Sequence, residues 1–255
     1  MAYSSIILQI HNQVARITLN RPRYGNVLNN AMGQELIDAC NLIRQDDDIR
    51  ITVITGNGKA FCRGNEFEQR EKEKKLPPDL VYHVAGAIAA LEIPVICAIN
   101  GDALGQGLEI ALACDIRIAS DSAHFGFSNV SLGCIPMDGG TQRLPRIIGK
   151  GPAMEMILSS EIIDAIEAKD IGLVSAVMAK EALIPQVDAM AQSMKQKAPV
   201  AFRYIKEAVN KGLDLTLEQG LKLEADLYFL LHTTQDRTEG IKAFLQKRTP
   251  EFKGK

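Results

Sequence analysis

The sequence lacks a long hydrophobic run and an excess of charge of either sign. No apolar stretch approaches the roughly 18–20 residues that a membrane-spanning helix needs, and the 255 residues carry a formal net charge of −2. A surface that binds nucleic acid or an anionic membrane needs a basic excess, so neither partner is expected. The N-terminal residues show no basic stretch ahead of an apolar one, so we expect no signal peptide and a cytoplasmic location.

Paired cysteines and clustered histidines are also missing. The five cysteines are widely spaced without a C-x-x-C pair, and the four histidines show no metal-ligand spacing. We therefore expect neither disulfides nor a metal site, and free thiols fit a reducing compartment. The remaining composition, with 46% hydrophobic and 24% charged residues, is typical of a globular α/β domain.

Strand-type and helix-type apolar spacing alternate along most of the chain. Alternating apolar residues over 6–10 and 14–20 predict two adjacent strands with a turn near Asn12, and a helical pattern follows Asn30. Further passes of the same kind predict strands at 51–56, 94–100, 115–120 and 174–178 and helices near 79–91, 105–114, 139–159 and 166–173. Repeated βαβ passes of irregular length favour an α/β spiral with a mostly parallel sheet.

The pattern changes after Glu181, where no strand-like segment follows. Helices are predicted at approximately 184–197, 200–211, 215–233 and 236–246. Their apolar faces need covering, either by the helices' own core or by an oligomer interface. We divide the chain into a core at residues 1–198 and a C-terminal helical oligomerisation region at residues 199–255.

Two glycine-rich segments each follow a predicted strand, at residues 56–67 and 99–115. Such turns place backbone N–H groups at a strand end, and two N–H groups that point to one position form an oxyanion hole. Each turn taken alone can equally be structural. The second segment contains Glu109 within an apolar helical stretch, where a carboxylate is costly unless it is paired or protonated. Glu109 is either a catalytic residue, part of a structural ion pair, or exposed on the helix.

The sequence resembles the crotonase superfamily, the enoyl-CoA hydratases and isomerases, over nearly its whole length. The resemblance lies in five ordered segments: VARITLNRPRYGNVLNNAM, VITGNGKAFCRGNEF, PVICAINGDALGQGLEIALACDIRIAS, FGFSNVSLGCIPMDGGTQRLPRIIGK and EAKDIGLVSAV. It implies a spiral of repeated ββα or βαβ turns with a C-terminal helical trimerisation region, assembled as a homotrimer or a dimer of trimers. It also implies an acyl-CoA substrate and no cofactor, because coenzyme A is part of that substrate.

The resemblance implies that the N–H groups of Asn65 and Gln106 form the oxyanion hole for the thioester oxygen. At position 106 the family often has the middle of three glycines. The backbone N–H is retained, and the added side chain could narrow the pocket or contact the substrate.

Contacts to the coenzyme A arm are implied for a short segment of the first loop. They would come from the backbone of Asn65, Glu66, Phe67 and Glu68. Arg23 is a candidate for a contact on the phosphate or adenine side, or else a solvated arginine.

The acid–base residues depart from the family pattern. A standard hydratase uses two glutamates that flank a water; Glu109 matches the first, and Asn129 stands where the second is expected. An amide cannot exchange a proton at neutral pH and can only orient water or substrate. Asp138 is a possible replacement, although related enzymes often place the aspartate one position earlier, at Met137 here. Asp138 could instead be the N-cap of the helix that follows, which would lower its pKa.

The leading prediction is an enoyl-CoA hydratase or isomerase that acts through an enolate. Isomerisation needs only one proton-transferring group, so the loss of the second glutamate favours it. Hydration, for example of a dienoyl-CoA, would need Glu109 and Asp138 to flank one water. Hydrolysis or decarboxylation of an acyl-CoA, and a CoA-binding scaffold with little catalysis, are the alternatives.

Overall fold

The strands and helices follow the predicted order along the chain. A computed structural model describes residues 3–65 and 83–255. The strands are β1 (Ile6–His11), β2 (Val14–Leu19), β3 (Ile51–Gly56), β4 (Val95–Ile99), β5 (Ala103–Leu104), β6 (Ile116–Ser120), β7 (His124–Gly126), β8 (Ile162–Asp164) and β9 (Ala176–Met178). The α-helices are α1 (Asn30–Gln45), α2 (Val84–Ala89), α3 (Gln106–Ala113), α4 (Gly140–Ile148), α5 (Lys150–Ser159), α6 (Ala165–Asp170), α7 (Lys180–Met194), α8 (Pro199–Gly212), α9 (Leu217–Leu231) and α10 (Gln235–Leu245).

The main sheet confirms the prediction of a mostly parallel sheet. Its strand order is β1-β2-β3-β4-β6-β9, in which β1 and β2 are antiparallel and the later pairings are parallel. The turn between β1 and β2 has positive φ at Asn12 and Gln13, a pair of left-handed residues that is typical of tight hairpins. The central strands β3 and β4 are buried on both faces of the sheet and largely apolar, whereas the edge strand β1 is mostly exposed.

A second sheet was not predicted from the sequence. It contains β5, β7 and β8, and single bridges between Leu28 and Asn65 and between Cys62 and Ala103 continue it. These strands are too short to show a two-residue alternation, so they have no sequence signature. Strands β4 and β6 of the main sheet are each followed by a short strand of this second sheet, β5 and β7, before the next α-helix.

The helical predictions differ from the structure mainly at their ends. The predicted helix at 79–91 is helical over Val84–Ala89, and residues 79–82 lie outside the described residues. Helix α7 begins at Lys180, four residues before the predicted start, and packs Leu183 and Val187 against the sheet. No strand follows Glu181 in the described chain, as predicted, and the division at residue 198 stays a prediction. Among the described residues, no helix has the length and hydrophobicity required to cross a bilayer.

Helix α3 packs closely on the loop that follows β3. A Cβ atom at Gly107 would overlap the carbonyl oxygen of Cys62, and that carbonyl accepts a hydrogen bond from the N–H of Leu104 at 2.9 Å. Only glycine allows this approach, so Gly107 sets the distance between α3 and the loop.

We expect Gly107→Ala to reduce the free energy of unfolding by about 1–3 kcal/mol, the usual cost of overpacking. Urea denaturation would measure the change. Gly151→Ala is the matched control, because Gly151 is an exposed residue of α5 with open space around its Cα. It should be neutral or stabilising by up to ~1 kcal/mol. Equal stability of Gly107→Ala and wild type would contradict the close approach.

Candidate active site

The two glycine-rich segments lie side by side. The N–H of Cys62 donates to the carbonyl of Asp102 at 3.0 Å, and a Cβ atom on Gly105 would lie 3.7 Å from the Cα atom of Gly64. Asn65 and Gln106 directly follow these two neighbouring glycines. The structure thus brings together the two segments predicted to form the oxyanion hole, and the role of their N–H groups stays a prediction.

Glu109 is buried on α3, with its side chain 3% exposed. Its Oε1 atom accepts hydrogen bonds from the N–H groups of Asp138, at 2.7 Å, and Gly140, at 2.8 Å. No described residue donates to Oε2 or forms an ion pair with Glu109. The structural ion pair and the exposed helix face are therefore both wrong. One oxygen is fixed, and the other is available for chemistry.

The environment of Glu109 suits proton transfer near neutral pH. Burial raises its pKa to about 7, the nearby carboxyl of Asp138 raises it as well, and the N–H groups of Gly140 and Asp138 oppose the shift. A carboxyl with a pKa close to 7 can both donate and accept a proton at neutral pH.

Asp138 lies beside Glu109, and it is not the N-cap of the helix that follows it. Gly139 occupies that cap position. The Oδ2 atom of Asp138 instead accepts from the N–H of Ala85, in the first turn of α2, at 2.8 Å and from Nε2 of Gln106 at 3.3 Å. The predicted lowering of its pKa is also wrong in direction. Burial raises the pKa of Asp138, against the hydrogen bonds from Ala85 and Gln106.

Asn129 belongs to the loop that leads to Asp138. It is half-buried and precedes a 3₁₀ turn, Val130–Leu132. Its Nδ2 atom donates to the carbonyl of Ile135 at 3.4 Å. This hydrogen bond joins two parts of the loop. Within the described part of the chain, the Asn129 side chain forms no hydrogen bond to the carboxyl group of Glu109 or Asp138.

The predicted coenzyme A contacts are only partly within the described residues. Glu66, Phe67 and Glu68 lie outside them. Arg23 is exposed in the 3₁₀ turn Pro22–Tyr24.

The sequence interpretation did not single out Arg63, whose side chain links the two glycine-rich segments. It follows Cys62 in the glycine-rich loop, lies against Gly25 and forms an ion pair with Asp102 at 2.8 Å. Its position within the quoted motif was the available signal. No group of potential metal ligands occurs within residues 3–65 and 83–255.

The buried carboxyl of Glu109 makes stability depend on pH. Its native pKa of about 7 exceeds the ordinary 4.5, so the stability that it contributes at low pH is lost as the pH rises between these values.

The amide of Glu109→Gln cannot ionise, and its oxygen can accept hydrogen bonds from the same two N–H groups. We expect this variant to be more stable than wild type by about 3 kcal/mol at pH 8 and by little near pH 4.5. Urea denaturation at both pH values would measure the difference, with exposed Glu155→Gln as control; a constant difference would contradict it.

The family is shown by comparison with known proteins. The model of the enoyl-CoA hydratase/isomerase family matches residues 9–255. The 2,3-dehydroadipyl-CoA hydratase of Escherichia coli K12 is 40% identical over 99% of this chain and 100% of its own length, and the crotonyl-CoA hydratase of Syntrophomonas wolfei is 39% identical over 99% of both. The crystal structure of an enoyl-CoA hydratase from Bacillus anthracis superimposes with a TM-score of 0.91 at 38% identity, covering 99% of this chain and 100% of that one. The chain therefore belongs to the enoyl-CoA hydratase/isomerase family, whose spiral fold it shares.

Proposed function

We propose that the protein hydrates an unsaturated acyl-CoA thioester through an enolate that the backbone N–H groups of Asn65 and Gln106 stabilise. The observation that carries this proposal is Glu109, a buried carboxyl with one anchored oxygen, one available oxygen and a pKa of about 7. It lies on the helix that begins at Gln106, next to the glycine-rich segment that contains Asn65. The names of two relatives, both CoA-thioester hydratases, support the same chemistry.

In the proposed reaction, water adds across the double bond in two proton transfers. One carboxyl group takes a proton from water as the water oxygen attacks C3. The electron pair of the double bond then moves through C2 onto the thioester oxygen and forms the enolate. The second carboxyl group then delivers a proton to C2 as the enolate collapses. The two N–H groups stabilise the charge on the thioester oxygen, and the loss of one such donor typically costs about 10²–10³ in rate.

Asp138 is the proposed partner of Glu109. Asn129, at the usual position of the second glutamate, cannot exchange a proton. Asp138 is 5% exposed, and its own N–H donates to the Glu109 carboxylate at 2.7 Å. It therefore brings a second carboxyl group next to the first from a different part of the chain.

Isomerisation is the second candidate, and Asn129 is the observation that favours it. One carboxyl group can move a proton between C2 and C4 without a water, so Glu109 alone would suffice. Isomerisation leaves the substrate mass unchanged, whereas hydration adds the mass of one water.

We also propose that the chain forms a homotrimer or a dimer of trimers. Large apolar side chains on the C-terminal helices support this, with Leu217 80% exposed and Phe244 81% exposed in the single chain. Apolar surface of this extent is typical of an interface. No cofactor is needed for the proposed reaction besides the coenzyme A of the substrate.

Glu109→Gln should lower turnover by about 10²–10⁴, the usual contribution of a general acid or base. We expect acyl-CoA binding to stay within threefold of wild type, since the amide keeps both anchoring hydrogen bonds. The measurement is a mass-resolved assay over crotonyl-CoA, a 3-enoyl-CoA and a dienoyl-CoA, with calorimetry for binding.

Four results of that assay are informative. A gain of one water by wild type supports hydration, and a shifted double bond without a mass change replaces it with isomerisation. Undiminished turnover by Glu109→Gln, with Glu155→Gln as control, would refute the role of Glu109. Binding of every ester with no turnover by wild type would favour the scaffold.

Asp138→Asn should cost activity more than stability. The amide oxygen can still accept from the N–H of Ala85, so we expect the free energy of unfolding to change by less than about 1 kcal/mol. The variant cannot transfer a proton, so hydration should fall by about 10² or more. A lower unfolding temperature with wild-type turnover would mean that Asp138 only caps α2.

A further inference from the structure

The side chain of Gln106 is placed to act on the proposed catalytic pair. Gln106 and Glu109 are three residues apart on α3 and both are buried. Nε2 of Gln106 donates to the Asp138 carboxylate at 3.3 Å, and the N–H of Asp138 donates to the Glu109 carboxylate at 2.7 Å. One turn of helix and two hydrogen bonds therefore connect Gln106, Asp138 and Glu109 in a closed arrangement.

The oxyanion hole does not require this side chain. Any residue except proline supplies a backbone N–H at position 106, so glycine would serve that purpose equally well. A buried amide side chain is unfavourable unless it is hydrogen-bonded. Its bond to Asp138 thus needs a separate explanation.

We propose that Gln106 is a positioning residue that fixes one oxygen of Asp138 and keeps this carboxylate ionised beside Glu109, so that Asp138 acts as the base and Glu109 as the acid. This inference rests on the proposed function of the site. It gives the side chain at position 106 a task separate from that of its backbone.

The surroundings of Asp138 support this division of roles. Oδ2 accepts from Ala85 and Gln106, whereas no described residue donates to Oδ1, so Oδ1 is the oxygen available to a water. The titratable and charged groups that face the carboxylate are Glu109 on α3, Arg143 on α4 and His83 before α2. Arg143 donates from Nη1 to the backbone carbonyl of Asp138, so within the described residues Gln106 is the side chain that donates to the carboxylate itself.

The sign of the effect follows from the hydrogen bonds. Donors to a carboxylate favour its ionised form and lower its pKa, and the bond from Gln106 acts in this direction on Asp138. Without this bond, burial still raises the pKa of Asp138 and one opposing contribution is lost, so this pKa rises further. Asp138 is then protonated, and unable to act as a base, over a wider pH range.

The test uses Gln106→Met, which keeps the side-chain length and removes the donor. Gln142→Met is the control, because Gln142 is an exposed glutamine on α4. The carboxyl titration of Asp138 is followed by NMR in protein labelled with [¹³C]aspartate, and Asp138→Asn identifies the signal. The pH dependence of kcat/KM is measured on the substrate that the acyl-CoA assay identifies.

We expect the Asp138 titration in Gln106→Met to move upward by about one pH unit, as for the loss of one hydrogen bond to a charged group. The acidic limb of kcat/KM should move with it. The loss of activity relative to wild type should then be greatest at the acidic end of the profile and should shrink as the pH rises. Gln142→Met should leave the titration and the profile unchanged.

An unchanged titration would overturn the inference, and so would an equal loss of activity at every pH. If Gln106→Met fails to fold, Gln106→Gly removes the amide without adding volume and carries the same test. The titration needs no turnover, so the two proposals can fail separately. A shifted titration in a protein that turns over no ester refutes the function alone, and an unmoved titration in an active hydratase refutes the inference alone.

Discussion

The site depends on two backbone N–H groups that hold one oxygen of a buried carboxyl. The donors to Glu109 belong to Asp138 and Gly140, and their turn must approach closely to reach it. A Cβ atom at Gly140 would lie 2.8 Å from Cβ of Pro136 and 2.9 Å from the Phe127 ring. Glycine at position 140 is therefore a steric requirement of the turn that anchors Glu109.

The spiral fixes this turn relative to the rest of the site. Two short strands of the second sheet, β5 and β7, connect main-sheet strands to the helices that follow, and Gly107 sets the separation between α3 and the loop after β3. Glu109 lies two residues further along α3. The same packing therefore determines how far its carboxyl lies from the predicted oxyanion hole, and a change at position 107 affects both.

The sequence left the burial of Glu109 open, but it was sufficient for the repeated βαβ passes and the helical C-terminal region, since each has a periodic or compositional signature. The second sheet has none, because β5 has only two residues and β7 and β8 three each. The cap alternative for Asp138 was wrong because a local pattern describes only sequence neighbours. Its partners, Ala85 and Gln106, are 53 and 32 residues away, and only the tertiary fold brings them together.

The turn at residues 138–140 links the two proposed catalytic groups. Its backbone anchors Glu109, and its one ionisable side chain is the proposed partner. Two adjacent buried carboxyl groups share their protons, because ionisation of one opposes ionisation of the other. The hydrogen bonds to each oxygen therefore decide which group keeps the proton. With the second carboxyl group at position 138 instead of position 129, it belongs to the turn whose backbone N–H groups also anchor Glu109. An amide at position 129 is then compatible with two-group chemistry, provided that Asp138 stays ionised.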